Sequence, residues 1–552
     1  MARRSFTRRL QRAWNTLTGS DAGSAFAPAY KGARTHRGNS DWPTGTRSSK
    51  QEIQPSLRKL RARARDLSRN SPYARSFLNL LVTNVIGPSG IIIKSQVRDR
   101  AGDLIPAIND RIDAAWREWS QGPVTLDRRL NLVQALSLML ETWATDGEEL
   151  VRLVTGAPGK FGFALQGIDA DLLDERYDLE ARPGQNEIRM GVEISPAGVP
   201  VGYWPYRYAE NHHYTSGPRY FLPAFDPFTR RGDTLHLFIP RRLNQTRGVT
   251  WFHPVIETLD GMAGYSEAEL FGARIGAAST VLIESAADDV DTSEKAEKAT
   301  PTSELEVAPG VAYRMKAGDK PHFWEPKHPT EQVGPFLKVM AREVAMGLGA
   351  PYYALANDLE ATSYSSMRGG EMVSNPLWRW IQGCVIAALV LPVREQWLNA
   401  ALLSGALELG SIDAAAFREA RYRGRGWPYV NPLDMSRADA LRLQCGTTSR
   451  QRILSETTGE DWYEILEEQA EEQAAAREVG ARHGVVLSID PPQSLAFELA
   501  KAEAQGGTDT QAAREQPAGA STDGDGNGAQ GSVGSVPETI RRRLLGATAG
   551  RK

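Results

Sequence analysis

Two long helical patterns, separated by a polar and acidic segment, constrain the fold of this chain more than any other feature. The first pattern spans 251–285, the second spans 328–350, and 286–310 between them is polar and acidic. One face of the first carries Val255, Ile256, Leu259, Met262 and Ala263. In the second, one face carries Phe336, Leu337, Met340, Val344 and Leu348. Both patterns are typical of amphipathic helices.

The remainder of the chain mixes helices with short strands. Apolar spacing predicts helices over 51–87, 106–121, 131–145 and 433–485, and over 371–405 either one long helix or a pair broken at Pro392. Between 149 and 240, short β-rich runs alternate with Gly, Pro and Asp, and the runs on either side of SPAG predict a β-hairpin. GVAYRMKAGDKPHFW, at 310–324, predicts a strand pair. The fold class that follows is α+β and mainly helical.

Charge is balanced over the whole chain but uneven along it. The formal net charge is −2, which argues against a dedicated nucleic-acid-binding protein. Residues 1–75, however, hold 17 Lys and Arg against 4 Asp and Glu. This excess predicts contact with phosphates or with an acidic partner. The alternative is a solvated, partly disordered terminus.

Several features predict a soluble protein of a reducing compartment. Cys384 and Cys445 belong to no CxxC pair, which argues against a disulfide framework or a cysteine-based zinc site. No apolar run follows the basic amino terminus, so we expect no secretory signal. The longest apolar run, VIAALVLPV at 385–393, is about half the length that crosses a bilayer. The low-complexity stretch over 503–552 predicts a disordered tail.

The usual signatures of catalysis are missing from the sequence. It contains no GxxxxGK[ST], GxSxG or HExxH motif. His212 and His213 are adjacent, so in a strand they would face opposite ways and could not share a metal. DADLLDE at 169–175 offers carboxylates to a divalent ion, but a solvated helix start explains it better. We therefore expect no metal, no cofactor and no enzymatic activity.

The polar stretch ATSYSSMRGG, at 361–370, invites two interpretations. Ser365 or Ser366 could be the nucleophile of a serine hydrolase, but neither has an adjacent base in the sequence. The other interpretation is a structural joint in which Ser363 or Ser365 caps a helix and Arg368 reaches a carboxylate or phosphate. The joint is favoured, and loss of a hydrolytic activity on Ser366→Ala would favour the hydrolase.

Five segments, in a fixed order, carry a resemblance to a known family. They are TWATDGEELVRL, GVEISPAGVPVGYW, RGVTWFHPVIETLDGMAGYSEAELFGARIGAA, FLKVMAREVAMGLGAPYYALANDLEATSYSSMRGG and GRGWPYVNPLDMSRADALRLQCGTTSRQRILSETTGEDWYEILEEQAEE. Over roughly residues 50–490 the sequence resembles the lambda-type family of phage portal proteins. No single segment is diagnostic, and the combination is specific.

The resemblance implies a ring, usually of twelve subunits, at one capsid vertex. Double-stranded DNA enters and leaves through the ring, which docks the terminase large subunit and later the head-completion or tail adaptor proteins. Major capsid and scaffolding proteins are further implied partners, and no membrane is implied. The implied location is the virion, with assembly in the host cytoplasm. A monomeric nucleic-acid-binding module that uses residues 1–75 is a third hypothesis.

The resemblance also implies a division of the chain into named regions. They are a flexible basic arm (1–50), wing (51–250), first stem helix (251–285), clip (286–327), second stem helix (328–350), tunnel-loop region (351–370), wing completion (371–432), crown helices (433–490) and disordered tail (503–552). The tunnel-loop candidates are Ser363, Tyr364, Ser365, Ser366 and Arg368. Lys338 and Arg342 lie off the apolar stripe of the second stem helix, and we expect them to face the channel.

Overall fold

The computed structural model describes residues 43–207, 217–225, 232–277, 281–284, 320–323, 332–360, 363–409, 416–427, 431–458, 461–485 and 487. Residues 1–42, both adjacent histidines, most of the acidic segment and the tail lie outside these ranges, so the expectations for them stay predictions. The chain divides into two units, 1–461 and 462–552.

Helices dominate the first hundred described residues. They are α1 (Ser49–Ile53), α2 (Leu57–Asn70), α3 (Pro72–Val85), α4 (Pro106–Gln121) and α5 (Leu132–Asp146). The pattern over 51–87 is broken at Ser71, whose side chain accepts a hydrogen bond from the amide of Ala74 and so caps α3. Pro72 follows in the first turn, where its missing N–H costs nothing. The predicted helices at 106–121 and 131–145 are confirmed within a residue.

Three small antiparallel sheets follow. Strand β2 (Glu149–Thr155) lies between β3 (Phe163–Ile168) and β8 (Thr234–Leu237). Four short strands form a meander: β4 (Glu187–Arg189), β5 (Val192–Ile194), β6 (Pro200–Tyr203) and β7 (Leu222–Pro223). The predicted hairpin is the pair β5–β6, with Val192 opposite Tyr203 and an irregularity after Glu193. The third sheet pairs β1 (Ile92–Ser95) with β11 (Ala420–Arg423), far along the chain.

The two long helical patterns form α6 (Ile256–Ala277) and α7 (Val333–Leu348). The expectation of helix through Ser285 was wrong, because β9 (Val281–Glu284) is a strand of β-branched and apolar residues. It pairs antiparallel with β10 (Lys320–Phe323). A strand pair was expected within 310–324. In the described part of that stretch, the strand pairs instead with 281–284. The pairing brings the segments 281–284 and 320–323 together.

A single long helix follows the short α8 (Tyr352–Leu355). It comprises α9 (Tyr364–Val385), a π-helical turn (Ile386–Val390) and α10 (Leu391–Leu403). Of the two alternatives for 371–405, the continuous helix is correct. The wider π turn immediately precedes Pro392, which has no N–H to donate and whose ring crowds the preceding turn of a regular helix.

This helix is also long and apolar enough, over Ser365–Leu403, to cross a membrane by length and composition. Its apolar side chains are used in the protein core, however. Trp397 is fully buried, and its ring lies 4.9 Å from that of Trp116 and 6.1 Å from that of Trp119. Aromatic side chains at these separations contribute beyond their buried area. The core is thus built from α3, α4, α5 and this helix.

Three helices occupy the predicted crown region. They are α11 (Pro432–Gln444), α12 (Arg450–Thr457) and α13 (Trp462–His483), of which α13 belongs to the second unit. Asn431 and Ser449 cap the first two through their side chains. Both cysteines are free thiols, Cys384 half-buried and Cys445 exposed.

Candidate functional site

The polar stretch at 361–370 is the start of α9. Ser363 is its N-cap: the Ser363 hydroxyl accepts a hydrogen bond from the amide of Ser366 at 3.2 Å and lies 2.9 Å from the Ser366 hydroxyl. Ser365 and Ser366 are both exposed. Among the described residues, no histidine hydrogen bonds to either serine. The joint interpretation therefore has a structural basis, with Ser363 rather than Ser365 as the cap.

Arg368 lies on the next turn of α9 and points toward α11. Its guanidinium lies 3.7 Å from the sulfur of Met435. A groove of about 310 Å³ surrounds this contact and is also lined by Arg379 and Trp427. The Arg379 guanidinium stands 5.4 Å from the centre of the Trp427 ring. Arg368 itself is exposed, so its charge is free to meet a group outside the subunit.

The two stem candidates are held by the segment that follows α7. The ammonium of Lys338 lies 2.7 Å from a carboxylate oxygen of Glu360 and 3.4 Å from one of Asp358. The hydrogen bond to Glu360 raises the pKa of Lys338. Arg342 stands 5.2 Å above the ring of Tyr352, whose hydroxyl donates to Asp358 at 2.7 Å. Both cations are thus loosely tethered within the subunit, as exposed ion pairs are.

The helices α6 and α7 pack directly against each other. At one end, the rings of Tyr265 and Phe336 are 5.0 Å apart. At the other, Gly347 lets the helix approach Val255, since a Cβ at 347 would come within 2.3 Å of that side chain. The two helices therefore lie side by side. Val344 is buried in it, whereas Phe336 remains 46% exposed.

Exposed apolar side chains continue along these helices and onto α9. Leu270 and Phe271 on α6 are 53% and 63% exposed, and Val339 and Met346 on α7 are 58% and 78% exposed. On α9, Met372 and Val373 are 70% and 79% exposed. A contiguous exposed apolar patch can mark a surface for association, whereas apolar residues scattered singly are normal. We call these six residues the exposed apolar set.

A buried ionic centre, which the sequence analysis did not predict, includes residues of the segment that leads into α6. Glu148, fully buried, lies 2.8 Å from the guanidinium of Arg61 and 2.6 Å from that of Arg247. Nε2 of His236 lies 3.0 Å from the same carboxylate, and the amide of Gly248 donates to it at 2.8 Å. A buried charge survives only with partners of this kind. The centre connects α2, β2 and β8 to the segment that leads into α6.

A second group of ion pairs lies next to this centre. Arg65 contacts Asp146 at 2.5 Å, Asp169 at 2.7 Å and Asp171 at 2.7 Å, and Arg61 reaches Asp171 at 2.6 Å. DADLLDE was expected to be a solvated helix start, and the expectation that its carboxylates face solvent was wrong. Asp169 does cap a short 3₁₀ turn, but the carboxylates face arginines. In the described part of the chain no cluster of residues suits a metal ion.

Two glycines make the close approach at the ionic centre possible. Gly147 ends α5 at a φ of +88°, a backbone angle that residues with a side chain rarely adopt. A Cβ on Gly147 would lie 2.1 Å from the backbone of Val249, and a Cβ on Gly248 would lie 2.0 Å from the carbonyl of Gly147. The DGEE and RGVT segments of the sequence therefore meet backbone to backbone.

The groups around Glu148 determine the pKa of its carboxyl. Burial is the largest influence and would raise its pKa, but Arg247 and then His236 outweigh it and hold the pKa of Glu148 well below its usual range. In the unfolded chain the carboxyl titrates near its ordinary value of about 4.3. Its contribution to stability is therefore complete above that pH and is lost as the pH falls toward the folded-state pKa.

We accordingly expect the free energy of unfolding to fall steadily between about pH 4.5 and pH 3. Asp171 and Asp174 add to the same trend. Burial would raise their pKa values, but arginines, and for Asp174 also Tyr206, outweigh it and lower them. Urea unfolding at half-unit steps of pH would measure it. A free energy that stays constant over this range would contradict the assignment.

Comparison with known proteins shows the family of this chain. A model of the family described as phage portal protein, lambda family, matches residues 35–382. The chain belongs to the lambda family of phage portal proteins. This family is one of structural virion proteins, and the matched residues include the ionic centre, the α6–α7 pair and the start of α9.

Individual portal proteins are similar over most of the chain. The probable portal protein of Halomonas phage phiHAP-1 is 32% identical over 465 residues, covering 81% of this chain and 88% of the relative. Portal protein B of Escherichia phage lambda is 22% identical over 481 residues, covering 80% and 88%. A solved chain from the neck of an empty gene transfer agent particle has 13% identity and a TM-score of 0.41, over 74% of this chain and 93% of that one.

Proposed function

We propose that this portal-family chain forms a ring, usually of twelve copies, that conducts double-stranded DNA into and out of a phage capsid at one vertex. The exposed apolar set on α6, α7 and α9 is the observation that carries the proposal. A second copy packed against these helices would remove the set from water, and identical contacts repeated around an axis close a ring. No catalytic residue is required for this role.

The proposed regions are those that the family resemblance implies. We assign most of 51–250 to the wing, α6 and α7 to the stem, and β9 and β10 to the base of the clip. The segment 351–370 is the tunnel-loop region, 371–432 completes the wing and α11–α13 form the crown. The terminase large subunit and later the tail adaptors would dock on the assembled ring, with capsid and scaffolding proteins around it. Assembly would take place in the host cytoplasm.

The charges near the stem suit a channel that passes DNA without holding it. Lys338 and Arg342 are each engaged by groups of their own subunit, through Glu360 and Tyr352. Phosphates would have to compete with these partners, which weakens each contact. A strongly basic wall would instead bind DNA tightly and with a steep dependence on salt.

Light scattering and electron micrographs of the purified protein test the proposal. We expect a particle of about twelve times the 60.6 kDa subunit mass, with a central hole. A stable monomer across a range of salt and protein concentration would overturn the ring and with it the channel.

Arg368→Ala should fold normally and impair DNA packaging. The side chain is exposed and has only a weak sulfur contact, so we expect the free energy of unfolding to change by less than about 0.5 kcal/mol. The loss of its charge at the start of α9 should lower the amount of DNA packaged. Nuclease-protected DNA and phage yield would be measured beside Arg129→Ala, an exposed arginine of the wing region. Equal yields from wild type and Arg368→Ala would contradict the role.

A further inference from the structure

A cavity beside the β2–β3 sheet is lined by a buried carboxyl group that lacks a hydrogen-bond partner for one of its oxygens among the described residues. The cavity measures about 700 Å³ and lies between α5, the 125–130 loop and β3. Its walls are mostly apolar and include Leu130, Met139 and Ile168. Leu138 lies at its rim and is 55% exposed, so the cavity is open to solvent. Glu149, next in sequence to the ionic centre, contributes its side chain to the lining.

The carboxyl of Glu149 lacks the partners that its neighbour has. The residue is only 6% exposed, and its Oε2 atom has no hydrogen-bond partner among the described residues. Burial and then the negative charge of Asp146 raise its pKa well above the usual range. A buried polar atom without a partner costs free energy, which a donor or cation from outside would offset.

The surroundings of Glu149 define the group that would complete it. Asp127 and Asp169 also line the cavity, so the charged residues of its lining are all acidic, although these two already contact Arg129 and Arg65. Leu130, Leu138 and Met139 supply apolar wall alongside them. An alkyl stem that ends in a cation satisfies both features, and this is the construction of a lysine or arginine side chain. An anion would meet like charge, and a purely apolar group would leave the carboxyl without a partner.

We propose that this cavity receives a basic side chain from residues 1–42 of the same chain. That segment holds 8 Lys and Arg against 2 Asp, which complements the acidic cavity. Fully extended, 42 residues span roughly 140 Å. The described chain begins at Pro43 and then runs along α2, whose 14 residues cover about 21 Å, to Arg65, which contacts Asp169 at the cavity. The segment is therefore long enough to return to Glu149.

A photoreactive benzoylphenylalanine in place of Leu138 would test the contact in the full-length protein. After irradiation and proteolysis, mass spectrometry should find cross-links to peptides from 1–42. The same group in place of Leu441, which is 60% exposed on α11, is the matched control and should give none. Mixed isotopically labelled and unlabelled protein separates the chain's own segment from that of another copy. Cross-links between copies, or cross-links only to other parts of the chain, would overturn the proposal.

Two variants test the chemistry. Glu149→Gln preserves the shape of the side chain and replaces its ionisable carboxyl by an amide, and it should lower the cross-link yield about tenfold, in keeping with a hydrogen bond to a charged group. Replacing Arg3, Arg4, Arg8 and Arg9 by Gln should lower it as well, without any change in the described core. Yields equal to wild type in both variants would overturn the proposal. The result is independent of ring formation, because the contact lies within one chain.

Discussion

Arg247→Met will lower the free energy of unfolding by about 3–5 kcal/mol. Arg247 is fully buried, contacts both oxygens of Glu148 and donates to the carbonyls of Leu173 and Met190. Methionine fills much of the same space but leaves Glu148 with less positive charge and the carbonyls without a donor. The cost comes from these buried groups rather than from lost volume.

Urea unfolding at pH 7 would measure the change. Arg129→Met is the control, because the Arg129 side chain is 82% exposed and its ion pair with Asp127 is long at 3.7 Å, so we expect a change within about 0.5 kcal/mol. Glu148→Gln combined with Arg247→Met should cost less than the sum of the single changes, because the two residues interact directly. A loss below about 1 kcal/mol for Arg247→Met would show that the ionic centre does not hold the fold together.

Val339→Glu together with Met346→Glu will leave the subunit folded and prevent ring assembly. Both side chains are mostly exposed in the subunit, so their replacement removes no core packing. In the proposed ring each would be buried against a neighbour, which stabilises by about 1.5–3 kcal/mol for a fully buried side chain of this size. Glutamate would lose that burial and add an unpaired charge at every contact around the ring.

Light scattering should give the subunit mass for this double variant, with a circular dichroism spectrum and melting curve close to those of wild type. Leu243→Glu is the control: Leu243 is 89% exposed, lies in the sequence between β8 and α6 and is not a member of the exposed apolar set. Its substitution should leave rings intact. Rings of unchanged mass in the double variant would show that subunits associate through a different surface.

Local features of this protein followed from the sequence because they depend on neighbouring residues. Apolar spacing of three and four predicts a helix wherever it occurs, and α4, α5 and α7 lie close to the predicted ranges. The SPAG turn predicts the β5–β6 hairpin for the same reason. A serine before a helix predicts a cap, and Ser363 is one. The family resemblance, which the family match confirms, likewise rests on segments read in order along the chain.

One prediction was wrong, and one alternative stayed open, where the local pattern does not decide the outcome. Val281–Glu284 continues a helical pattern, but its pairing with Lys320–Phe323 makes it a strand. The apolar run before Pro392 could equally end a helix, and a π turn carries the helix through. In each case the local pattern allows two structures, and tertiary contacts select one of them.

The buried ionic centre depended entirely on the tertiary structure. Arg61, Glu148 and Arg247 are charged residues of ordinary appearance, 87 and 99 positions apart, and charged residues are usually exposed. The sequence alone determined most of the helices, the hairpin, a serine cap at the start of α9 and the family. Only the tertiary structure decided which charges are buried and paired, and which carboxyl, Glu149, is buried with an unpartnered oxygen. The physical reason is that burial removes water from a charge, and its energy then depends on whichever groups the fold brings within a few ångströms.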